Sequence, residues 1–66
     1  MTKKQRKQLA QRIAKLEHII QTSTDKDEVR TAKDNMVQLQ ASADMDLEDM
    51  CVVDEMVQEI LSTLTS

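Results

Sequence analysis

Not one glycine or proline occurs among the 66 residues of this chain, and aromatic side chains are absent as well. Glycine supplies the positive-φ positions of tight hairpins and phosphate-cradling loops, and proline presets turn corners. Without either, sheet-forming reversals and sharp breaks lose their usual residues. What remains is rich in Ala, Leu, Met, Lys, Glu and Gln, which surrender little side-chain freedom in a helix. The expected fold class is all-α.

The apolar spacing predicts where the helices run. Leu9, Ile13, Leu16 and Ile20 recur every three or four residues, so they share one helical stripe, which Ala10 and Ile19 widen. This places helix 1 over about 2–22, roughly 30 Å long at 1.5 Å per residue. Thr22, Ser23, Thr24 and Asp25 then interrupt the pattern, and the apolar phase jumps. Asp25 with Glu28 three residues later resembles a capping box, which predicts a new helix start.

Downstream, Val29, Ala32, Met36, Leu39 and Ala43 form a second stripe, followed by Met50, Val53, Val57, Ile60 and Leu64. Asp46 occupies the one skipped position. Two architectures fit. In the first, helix 2 covers about 25–41 and helix 3 about 46–64, giving a small antiparallel three-helix bundle in one domain, 1–66. In the alternative, residues 25–64 form a single long helix, and the hairpin dimerises into a four-helix bundle to cover its exposed stripe. Crowding of Asp44, Asp46, Glu48 and Asp49 favours the break, because carboxylates stabilise a helix N-terminus and repel one another in mid-helix. The heptad-like phase and the missing C-cap glycine favour continuity. Three helices is the reading adopted.

Size matters next. A 66-residue chain buries only about 60% of the surface that its unfolded form exposes, so its stability is marginal without a staple. Cys51 is the single cysteine, which excludes an internal disulfide, and there is no Cys/His cluster for zinc. Self-association is the remaining natural staple. A lone thiol suits a reducing, cytoplasmic setting. No apolar run approaches the ~18 residues of a membrane span. No apolar segment follows the cationic start as it would in a signal peptide.

Charge divides the chain in two. All nine Lys and Arg lie between Lys3 and Lys33, where four carboxylates leave residues 1–33 at +5; residues 34–66 hold eight carboxylates and no cation, or −8. The halves are electrostatic complements, within one chain or between copies.

Several candidate sites follow. Asp44, Asp46, Glu48 and Glu55 fall at positions 1, 3, 5 and 12 of an EF-hand calcium loop. The match fails at position 6, where Asp49 replaces the obligatory glycine, and Met45, Leu47 and Met50 read as helix core. No metal site is expected, and an acidic calcium-binding helical protein stands only as a further alternative. His18 has only Glu17, Gln21 and Lys15 for company, which describes an exposed helical position rather than a general base. Cys51 sits among carboxylates and reads as a small, partly buried hydrophobe. No catalytic group, cofactor or small-molecule substrate is expected, and the chain reads as non-enzymatic.

Binding is the expected activity. Met36 and Met50 lie on the main stripe and read as core. Met45, Val52, Met56 and Leu61 suggest a second apolar strip, flanked by Asp49, Glu55 and Glu59. Such an acidic, Met-bearing helix suits a protein partner with a basic amphipathic segment, a second copy included. The alternative is a nucleic-acid or ribosome accessory whose Lys3, Lys4, Arg6, Lys7, Arg12 and Lys15 neutralise phosphates. Against it stand the net charge of −3 and the lack of any aromatic to stack a base. The lack of Trp or Phe anchors argues equally against a membrane surface.

Overall fold

The computed structural model describes residues 2–65. Three helices account for nearly all of them: α1 (Lys3–Thr22), α2 (Lys26–Ser42) and α3 (Leu47–Thr65). Each boundary lies within one residue of that expected from apolar spacing. The chain is a small all-α three-helix bundle, and the single long helix over 25–64 does not form.

Local side-chain chemistry explains the starts. Thr2 and Gln5 form a reciprocal capping box at α1: the Gln5 amide donates to Thr2 Oγ1 at 3.2 Å, and the Thr2 amide donates to Gln5 Oε1 at 2.9 Å. At α2, Asp25 accepts from the Asp27 amide at 3.0 Å instead of completing the box anticipated with Glu28. Asp46 starts α3 by accepting from the Asp49 amide at 2.8 Å, while its own carbonyl accepts from the Met50 amide.

The ends need no glycine. Ser23 and Ala43 cap α1 and α2 in extended conformations, each donating its amide to the carbonyl four residues back, and no described residue has a positive φ. Thr22 and Ser42 hydroxyls donate to the His18 and Leu39 carbonyls, adding a second bond at carbonyls near each helix end. Ser42 thus closes α2 rather than opening α3. A break without glycine is possible because the cap residue continues as a strand-like link instead of turning left-handed.

Helix α1 is the centre of the molecule. It packs against α2 on one side and α3 on the other, whereas among the described residues no Cα of α2 lies within 8 Å of one in α3. The Cα envelope is correspondingly flat, 34 × 28 × 16 Å. Connections of a few residues make α2 antiparallel to α1, and α3 returns parallel to α1. The core joins Leu9, Ala10, Ile13 and Ala14 to Val53, Val57 and Leu61, with Met36, Leu39, Ala43, Met45, Met56 and Ile60 packed around it. Each large aliphatic of that core contributes about 1.5–3 kcal/mol on burial.

The buried line on α3 differs from the expected stripe. It runs Asp49, Val53, Val57 and Leu61, strictly every fourth residue. Met50 and Leu64, expected in the core, are 52% and 51% exposed. The same fourfold step occurs on α1 at Arg6, Ala10 and Ala14, and both alanines are fully enclosed. Rows of i, i+4 side chains interlock when two helices cross obliquely, whereas a heptad stripe suits a shallow supercoil. The buried row on α3 is thus rotated from the heptad expectation, and Met50 lies outside it.

Candidate functional site

Because α2 and α3 straddle α1 without closing on each other, a groove of about 430 Å³ opens between the C-terminal end of α2 and the first half of α3. Its floor is Ile13 with Val53 and Val57. Gln40, Ala43 and Met45 form the wall on the α2 side, and Leu47, Met50, Cys51 and Asp54 form the wall on α3. Leu47, 77% exposed, and Met50 form its apolar rim.

The residues expected to bind a partner are divided by the fold. Met45 is half-buried and lines the groove. Val52 and Met56 are half-buried and outside it, with Met56 packed on the core. Leu61 is a correction: it is 7% exposed and belongs to the core, because it continues the fourfold row from Asp49. Asp49 is a second correction. It is 4% exposed and held by Arg6, so its carboxylate is turned into the fold rather than displayed on the surface. Glu55 and Glu59 are exposed and lie beyond the groove lining.

Leu47, Met50, Cys51 and Asp54 were not foreseen as a set. The signal was present, since they fall at i, i+3, i+4 and i+7 and therefore share a helical face. Cys51, expected partly buried, is an exposed free thiol on that face.

The cations are also redistributed. Lys3, Lys4, Lys7, Arg12 and Lys15 are exposed along α1. Arg6 is withdrawn from any phosphate surface by Asp49: Nε donates to Oδ1 at 2.7 Å and Nη2 approaches the same oxygen at 2.6 Å. The Arg6 guanidinium holds the Asp49 carboxyl below its ordinary value of 3.8, against the upward pull of burial. Of the expected pairing between basic and acidic halves, the Arg6–Asp49 contact is made within one chain.

Two other positions changed character. His18, expected to face solvent, is half-buried, and its Nδ1 is enclosed without a hydrogen-bond partner. The twelve-residue window from Asp44 to Glu55 is not a loop, because its last nine residues are the opening turns of α3. Helical geometry spreads its carboxylates around the axis, and among the described residues no three His, Cys, Asp or Glu side chains converge as a metal site. No described helix is long and apolar enough to cross a membrane.

Comparison with family models, with curated proteins and with solved structures finds no match.

Proposed function

We propose that this chain is a non-enzymatic protein-interaction module that receives an amphipathic helix of another protein in the groove between α2 and α3. The observation that carries the reading is the exposed pair Leu47 and Met50 beside an apolar floor that the bundle leaves open. Keeping such surface wet is unfavourable, and grooves between helices are where helical segments dock. Methionine adapts to irregular partners, and Met45 and Met50 stand on opposite walls. An exposed lone thiol suits the reducing cytoplasm as the working compartment.

The test is an NMR titration of the isotope-labelled protein with amphipathic helical peptides of neutral, acidic and basic character. Shift changes confined to groove residues, and lost in a Leu47→Lys, Met50→Lys double variant of unchanged helicity, support the reading. If no peptide of any charge perturbs the groove, the reading fails. Self-association, expected from the small size, is the rival occupant, and it would appear as a dimer mass that this double variant abolishes.

The second reading keeps a specific observation of its own, the exposure of Lys3, Lys4, Lys7, Arg12 and Lys15 along α1. Phosphate binding through these residues would weaken steeply with salt. A filter-binding titration without retention even at ~50 mM salt removes it.

A further inference from the structure

The groove's charge specifies the helix that fits it. Resting on the docking reading above, we infer that the occupant is a cationic amphipathic helix, with Lys or Arg beside its apolar stripe. Asp54 is the one charged side chain in the groove lining, and it is exposed there. Asp44 and Glu48, both exposed, stand next in sequence to the lining residues Met45 and Leu47 and add to the negative charge of this end of the molecule. No cation follows Lys33 in the chain. A neutral or acidic helix would cover Asp54 and leave its carboxylate without water or partner, which is costly. A Lys or Arg on the occupant would replace that water with a charge-assisted hydrogen bond.

A second copy fits less well. Its α3 would bring further carboxylates to an acidic wall. The first half of the apolar face of α1 is consumed, since Leu9, Ala10, Ile13 and Ala14 are buried, and Leu16, Ile19 and Ile20 beyond them are half-buried. The cation-bearing stretch of α2, from Lys26 to Lys33, is followed by a single large exposed apolar residue, Val37, 65% exposed. The apolar residues of this chain that are edged by cations, Leu16, Ile19 and Leu39 beside Arg12 and Lys15, line a cleft between α1 and α2 and do not protrude as a helix face that could enter the groove, so the inferred partner is a different protein.

The experiment uses a dye-labelled model peptide of leucines and lysines at amphipathic helical spacing, and its counterpart with every lysine replaced by glutamate. Fluorescence anisotropy reports binding to the whole protein. The lysine peptide is expected to bind, the glutamate peptide not. Asp54→Asn should weaken the lysine peptide about tenfold. Leu47→Lys with Met50→Lys should abolish binding, and Val37→Lys should leave it unchanged. Equal binding of both peptides, lost in the double variant, overturns the charge inference and leaves the docking reading standing. Lysine-peptide binding indifferent to the double variant means adsorption to acidic surface, and it overturns both. Failure of both peptides against a protein of dimeric mass, made monomeric by the double variant, names the second copy as occupant and overturns this inference.

Discussion

Arg6 and Asp49 lie 43 residues apart and meet on one oxygen, with Nε at 2.7 Å and Nη2 at 2.6 Å from Asp49 Oδ1. Each stands near the start of its helix, so the pair sets α1 and α3 parallel. Each also begins a row of every fourth residue, Ala10 and Ala14 on one helix and Val53, Val57 and Leu61 on the other. The pair is thus an electrostatic register mark for the apolar contact that follows it. Asp49 further fixes the start of α3 through the hydrogen bond its backbone N–H donates to the Asp46 carboxylate.

Removing one partner should cost more than removing both. Arg6→Met leaves the Asp49 carboxylate enclosed without its counter-charge, and the melting temperature should fall. Arg6→Met with Asp49→Leu replaces the pair by apolar volume and should recover most of that loss. Lys7→Met, at an exposed neighbour, should do little. Thermal melts of the four proteins by circular dichroism check the order; a single variant as stable as the parent would show that Arg6 leaves no register mark.

The same pair gives a pH dependence of definite sign. Asp49 titrates lower in the folded chain than its ordinary 3.8, chiefly because Arg6 donates to it. The unfolded chain therefore takes up the proton first as pH falls. The stabilisation is complete above the unfolded value and is lost as pH drops through the lowered native one. Melting temperature should decline between about pH 5 and about pH 2, more steeply in the parent than in the Arg6→Met, Asp49→Leu protein.

Leucines 47 and 61 occupy the same helix with opposite roles, and truncation separates them. Leu61→Ala removes a core side chain and should cost about 2–5 kcal/mol. Leu47→Ala changes an exposed rim and should stay within about 0.5 kcal/mol, while weakening partner capture. Overpacking tests the α1–α3 contact from the other direction. Ala14→Leu has no room beneath α3 and should destabilise by about 1–3 kcal/mol. Urea unfolding of the three variants measures the stability changes, and peptide anisotropy measures capture by the Leu47→Ala protein.

How far the sequence reveals this molecule depends on the kind of information asked of it. Helix boundaries were legible because caps and composition act locally: Asp46 caps α3 whatever lies beyond it. The break at Ala43 competed with an unbroken 3–4 apolar phase, and the carboxylate crowding correctly decided it. The buried face of α3 was not legible. Stripes 49-53-57-61 and 50-53-57-60-64 share two residues, and the choice between them depends on how α3 packs against Ala10 and Ala14, a tertiary property. That packing has Leu61 inward, Met50 outward and Asp49 on Arg6, which moves the candidate site from one flank of α3 to the other. His18 shows the same limit, since nothing in its helical neighbours signals an enclosed nitrogen.

That nitrogen predicts a gain in stability. His18 Nδ1 is enclosed and unpartnered, and an unsatisfied buried polar atom costs about 1–3 kcal/mol. His18→Leu keeps similar bulk on α1 and removes the orphan. It should raise stability by about 1 kcal/mol in urea unfolding. A loss of similar size would mean that the ring makes a favourable polar contact in solution.

Cys51 offers a direct report on the groove. The thiol is exposed and lines the α3 wall beside Met50 and Asp54. In the free protein a thiol reagent such as a maleimide should react with it fully without denaturant. A helix seated between Met45 and Met50 would cover that sulfur, so the labelling rate should fall as the groove fills. Leu47→Lys with Met50→Lys should abolish this protection while leaving labelling of the free protein intact. Mass spectrometry of timed samples follows the reaction through a single modifiable thiol, because Cys51 has no competitor in the chain. A bound helix that leaves the rate unchanged must lie elsewhere on the molecule, and the candidate site would have to be moved with it.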